Sequence, residues 1–137
     1  MSAELLTTPE FALFLDGYKT ALKWSTSGDH NGVEVESLEA FEFSHAMAGT
    51  IAHECAEFFL NNHADLVEAA AEYEENRTGN ATGWEFAGHD FWLTRAGHGA
   101  GFWDGDLPKE LGDRLTEAAG KAGNREPYIG DDGSIYQ

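Results

Sequence analysis

Between Gly88 and Pro108 the chain reads GHDFWLTRAGHGAGFWDGDLP, and this stretch holds two histidines, three aspartates and one arginine. His89, Asp90, His98, Asp104 and Asp106 are residue types that exchange protons or bind divalent metals. Arg95 could hold a carboxylate or a phosphate. A junction between a regular element and a loop is a common home for such groups. A small enzyme or metal-binding protein would therefore use His89 or His98 as base or ligand, Asp104 or Asp106 as its partner, and Arg95 as the anion holder. The spacing matches no zinc, nuclease or triad motif. The opposing reading is structural: histidine and aspartate tie down a loop through backbone hydrogen bonds, while Trp92, Phe102 and Trp103 fill a core.

Three other patterns carry less. Glu42 and His45 form a Glu-x-x-His, a ligand spacing of di-iron bundles, but no second copy is present. His53 to Glu57, HECAE, approaches the zinc motif His-Glu-x-x-His, with Glu57 where the second histidine belongs. His45 and His53 lie two helical turns apart, about 12 Å, too far to share one ion. Gly97, Gly99 and Gly101 form Gly-x-Gly-x-Gly with no helix directly after it and no following lysine until Lys109, so nucleotide binding is not expected. No metal and no cofactor is assigned. Cys55 is the sole cysteine and falls in an apolar stripe, the setting of an inert buried thiol.

These residues need elements to position them. A first helix should start near Pro9, capped by Thr7 or Thr8, with Phe11, Phe14, Leu15, Tyr18 and Leu22 as its apolar face. STSGDHNG at 25–32 breaks it. The segment VEVESLEAFEF alternates briefly at its start, as a short strand would, but is read as leading into a second helix from about Leu38 to Asn61, with Ser37 as cap. There Phe43, Met47, Ile51, Cys55 and Phe58 share a side opposite Glu42, His45, His53 and Glu57. A third helix should run from about Ala64 to Glu75. HDFWLTR alternates like a strand, predicted over 88–95. A glycine loop then leads to a helix at 107–119, and YIGDDGSIY closes the chain as a hairpin at 127–136. The class is α+β, one domain over 1–137. A helical acidic part at 1–80 packs on a strand, loop, helix and hairpin at 84–137, with a small antiparallel sheet.

Charge is the other strong signal. The chain has 137 residues, with 25 acids against eight lysines and arginines, a formal net charge of −17. Residues 1–80 hold 15 of the acids and three of the bases. Such a chain repels nucleic acid and anionic membranes and attracts basic partners or divalent cations, while the plain reading of the charge is solubility or life in a salty cytoplasm. Glu68, Glu72 and Glu75 share a helix face, and Glu34, Glu36 and Glu39 extend the negative surface. A single cysteine fits a reducing compartment, and neither a signal peptide nor a spanning segment is evident.

GHDFWLTRAGHGAGFWDGDL and the closing YIGDDGSIY resemble a group of small proteins of bacteriophages, prophages and related mobile elements. The resemblance covers residues 86–137 well and 9–24 loosely. It implies no activity and no catalytic residues. It implies expression in a bacterial cytoplasm and a role in phage–host conflict or host takeover. One expectation is a binding protein whose carboxylates stand in for DNA phosphates and block a basic or nucleic-acid-binding host protein. A small enzyme built on Gly88–Pro108, and a structural or regulatory phage protein, are the alternatives.

Overall fold

The structure, a computed structural model, describes residues 2–77, 79, 81–97 and 99–137. It is α+β. A 3-10 helix at Ser2–Thr7 precedes α1 (Pro9–Ser25), and a hairpin of β1 (Gly28–His30) and β2 (Val33–Val35) follows. Strand β3 (Glu42–Phe43) runs into α2 (His45–Asn61), α3 (His63–Asn76) and α4 (Gly83–Ala96). Helix α5 (Lys109–Ala122) leads to β4 (Tyr128–Ile129) and β5 (Ser134–Tyr136). No described helix is long and apolar enough to cross a membrane.

The predicted strand at 88–95 is instead the second half of α4. Thr82 caps this helix in a reciprocal box: its hydroxyl accepts from the Glu85 N–H, and the Glu85 carboxylate accepts from the Thr82 N–H. Gly97 ends it in the left-handed region, at φ 71°. Ala87, Gly88, Asp90, Phe91, Trp92, Leu93 and Arg95 are all buried. A helix buried around most of its circumference shows no polar face from which its period could be read.

Helix α4 lies unusually close to its neighbours. A Cβ on Gly88 would sit 2.1 Å from the Phe14 carbonyl oxygen of α1, and one on Gly17 would sit 2.2 Å from that of Glu85. The two glycines let the backbones of α1 and α4 touch. Phe14, Tyr18, Phe58, Phe91 and Trp92 stack around this crossing and join the core of both halves.

The sheets also differ from expectation. The C-terminal hairpin is present, with Tyr128 opposite Tyr136 and Ile129 opposite Ile135. Its partner is β3, parallel to β5, giving the order β3-β5-β4. Residues Glu42 and Phe43 are therefore strand, and α2 begins later than predicted, capped by Ser44 rather than Ser37. GDHNGVEV, read as a helix breaker and a lead-in, forms the β1–β2 hairpin on an Asn31-Gly32 turn with φ of 55° and 85°. Helix α5 begins at Lys109, after Pro108, and ends at Ala122, beyond Gly120. Trp103, predicted as core, is 52% exposed, whereas Trp92 and Phe102 are buried.

Candidate functional site

Asp90 and Asp106 fall in one internal network and Arg95 in another, so these charged residues of Gly88–Pro108 do not meet in one cavity. Asp90 and Arg95 stand five positions apart on α4, which turns them about 140° from each other around the axis. Each is drawn to different partners.

Asp90 is 1% exposed and accepts a hydrogen bond from the Tyr73 hydroxyl of α3. Arg77, just past the end of α3, reaches it at 3.1 Å and reaches Asp106 at 2.6 Å. The guanidinium lies over the rings of Tyr73 and Phe86, each 4.7 Å from its centroid. Asn76 donates to the Asp106 carbonyl at 3.1 Å. Arg77 thus bolts the end of α3 to α4 and to the loop before α5. Burial pushes the Asp90 carboxyl up to about 6, against the opposing pull of Arg77 and the Tyr73 hydrogen bond.

His89 sits half-buried beside this network, edge-on to Phe86. Burial and the positive charge of Arg77 both lower its pKa, which favours the neutral ring. Asp104 is exposed and accepts from the Gly101 N–H at 3.3 Å, closing its own loop. Asp90 and Asp106 therefore converge, through Arg77. Arg95 does not join them. His98 lies outside the described residues.

Arg95 has a side chain with 0% exposure. Its Nε donates to the Gly123 carbonyl at 2.8 Å and its Nη2 to the Ala122 carbonyl at 3.0 Å. Those carbonyls end α5 and would otherwise lack partners. Nη1 donates to the Tyr18 hydroxyl and to Glu54, both at 3.0 Å. Arg125 pairs with the other oxygen of Glu54. Burial alone would raise the Glu54 carboxyl, but the hydrogen bonds and charges of the two arginines hold it below the usual carboxylate range. The anion that Arg95 holds is the protein's own Glu54 carboxylate.

Glu54, Arg77, Tyr73, Tyr18 and Arg125 did not stand out in the sequence. Tyr18 and Tyr73 gave the one available hint, since a tyrosine inside an apolar stripe needs a partner for its hydroxyl. Glu54 sits in HECAE, but its role is to pair with arginines. His45, His53 and Glu57 are exposed on α2. Cys55 is fully buried, and burial raises its thiol pKa. Among the described residues, no three His, Cys, Asp or Glu side chains are grouped to hold a metal ion. A cleft of about 540 Å³ opens between α2 and α5, with Arg125 and Glu54 at one side and Arg114, Glu117 and Lys121 along α5.

The acidic residues lie on separate elements. Glu34 is exposed on β2, with Glu36 and Glu39 exposed just after it. On α3, Glu75 is exposed, Glu72 is half-buried and accepts from Asn76, and Glu68 stands 4.0 Å from Arg114. Arg114 also grips Asp65 through two nitrogens, so α5 partly neutralises the first turns of α3. No protein-family model matches the chain, and comparisons with curated proteins and solved structures find no significant match.

Proposed function

We propose that this chain is a non-enzymatic binding protein that engages a basic partner through its negative surface. The proposed partner is a bacterial host protein whose cleft ordinarily accepts nucleic acid. The observation that carries this reading is the fate of the cations. Arg77, Arg95, Lys109, Arg114 and Arg125 are all held in ion pairs within the chain. Among the described residues only Lys19, Lys23 and Lys121 stand outside such pairs. The same pairs engage just six of the 25 acids, namely Glu54, Asp65, Glu68, Asp90, Asp106 and Asp113. Outside these pairs stand 19 acids and three lysines, a surplus of negative charge with few cations interspersed.

The β1–β2 hairpin supports the same reading. Asp29 stands directly opposite Glu34 in the antiparallel register. Like charges facing each other across a ladder destabilise it. A cation supplied by a partner would relieve that repulsion. The likeness to phage and prophage proteins fits a host target.

The test is competition. The protein is used to capture proteins from a bacterial lysate at low ionic strength, and captured species are challenged with duplex DNA. Bound nucleic-acid-binding proteins should be released by DNA and by salt, with affinity falling steeply as salt rises. Capture that is indifferent to both salt and DNA would contradict the reading.

A further inference from the structure

The C-terminal hairpin has two faces. Ile129 and Ile135 point into the core, at 9% and 0% exposure. On the other face Tyr128 and Tyr136 stand opposite each other, their rings stacked at 5.8 Å between centroids and 21° between planes. Tyr128 is 54% exposed. The two rings border a recess of about 580 Å³ whose lining also includes Asp131 and Asp132 and contains no cation.

The recess is held in shape by its own bonds. The Tyr136 hydroxyl donates to Asp132 Oδ2 at 2.7 Å, and the Ser134 N–H donates to Asp132 Oδ1 at 2.9 Å. The Tyr136 ring lies so close over Gly130 that a Cβ there would meet it at 2.5 Å. Tyr136 and Asp132 are thus fixed, whereas Asp131 is exposed in the turn.

We infer that this recess is a docking site for an arginine side chain of a basic polypeptide, the guanidinium stacking on the exposed Tyr128 while its N–H groups reach Asp131 and Asp132. Aromatic faces attract organic cations, and a guanidinium is planar enough to stack while its edge donates to carboxylates. Arginine and tyrosine are also the residue types most enriched where binding energy concentrates. Charge complementarity selects this occupant, because the recess carries two carboxylates on a chain at −17. The inference rests on the proposed function in one respect: it names where and how the basic partner is gripped.

The test is an NMR titration of the full chain with a capped hexa-arginine peptide at low salt, beside hexa-lysine and hexa-citrulline peptides. The Tyr128 and Tyr136 ring signals and the Gly130 and Asp131 amides should shift and saturate. Arginine should bind more tightly than lysine, and citrulline should leave these signals unmoved. Tyr128→Leu should weaken arginine binding about two- to fivefold, the range of an exposed cation–π contact. Asp131→Asn should weaken it comparably, and unchanged Ile129 and Ile135 methyl shifts would show that both variants keep the hairpin. Shifts confined to the glutamates of α3 and the β1–β2 hairpin would overturn this site while leaving the proposed function standing. No shift anywhere would count against both. Equal binding of arginine and lysine, untouched by Tyr128→Leu, would overturn the site in favour of charge attraction alone.

Discussion

Replacing Arg95 with methionine should be among the most damaging single changes in this protein, although the side chain touches no solvent. Methionine keeps much of the stem and its packing on Phe91, whose ring centroid lies 5.3 Å from the guanidinium. It removes every donor. The Ala122 and Gly123 carbonyls lose their shared cap, the Tyr18 hydroxyl loses the N–H that donates to it, and Glu54 keeps only Arg125. Removing one member of a buried ion pair costs about 3–5 kcal/mol. Set against a typical domain stability of about 5–15 kcal/mol, that is about a fifth of the total or more. Arg95→Lys should cost less, about 1–3 kcal/mol, because an ammonium can still face Glu54 but cannot span both carbonyls and the hydroxyl. Urea unfolding followed by circular dichroism gives the values. A cycle with Glu54→Gln should show a favourable coupling of about 0.5–3 kcal/mol. Hydrogen exchange should quicken at the end of α5, around residues 119–123. A loss below about 1 kcal/mol in Arg95→Met, by this mutational standard, would refute the assignment of Arg95 as an internal clamp. It would return the residue to the pool of groups free to hold a ligand.

Three further outcomes follow from the same structure. Gly88→Ala drives a Cβ to 2.1 Å from a backbone oxygen and should destabilise by about 1–3 kcal/mol, whereas Gly49→Ala, with nothing within 4 Å, should stabilise by about 0.5–1 kcal/mol; thermal melts should show opposite signs. Asp90, with its pKa raised above the unfolded value, binds its proton more tightly in the folded state. Its contribution to stability is therefore greatest below about pH 4 and falls as pH rises through about 6. Denaturant melts at several pH values should accordingly show the stability of the natural protein relative to Asp90→Asn declining over that window, and a rising trend would be contrary. Glu34→Lys places a cation opposite Asp29 and should stabilise the β1–β2 hairpin by a few tenths of a kcal/mol, while weakening capture of basic partners; stronger capture would count against the surface proposed.

The helices whose outer faces stay in water were legible. In α2 the stripe of Met47, Ile51, Cys55 and Phe58 is buried as its spacing required, and in α3 Leu66, Ala69, Ala70 and Tyr73 are buried likewise. Helix α4 was not, because Phe91-Trp92-Leu93 is buried throughout and mimics the run of a strand. Its start was nevertheless written in Thr82-x-x-Glu85, the capping-box spacing, and Asn31-Gly32 carried an equally local signal for the first hairpin. Gly88 was expected at the start of a strand, and it is instead the contact point of two helices. The two networks were out of reach for a different reason. Arg77 pairs with Asp90 and Asp106, and Arg95 with Glu54, across separations that only the packing of α1, α2, α3 and α5 around α4 decides. The stretch that looked richest in chemistry holds much of its charge because this crowded junction needs buried polar ties.

The most direct measurement compares three forms of the protein side by side in low-salt capture: the natural chain, a Glu68→Lys/Glu72→Lys/Glu75→Lys variant, and a His89→Ala/Asp104→Asn variant that leaves both buried arginine networks intact. Captured proteins are identified and their binding followed against salt. Loss of salt-sensitive capture in the charge-reversed form, with full retention in the His89→Ala/Asp104→Asn form, is the result expected of a protein that works through its negative surface. The opposite pattern, with binding or turnover lost on changing His89 and Asp104 while the glutamates are dispensable, would contradict that account and place the function in the Gly88–Pro108 stretch after all.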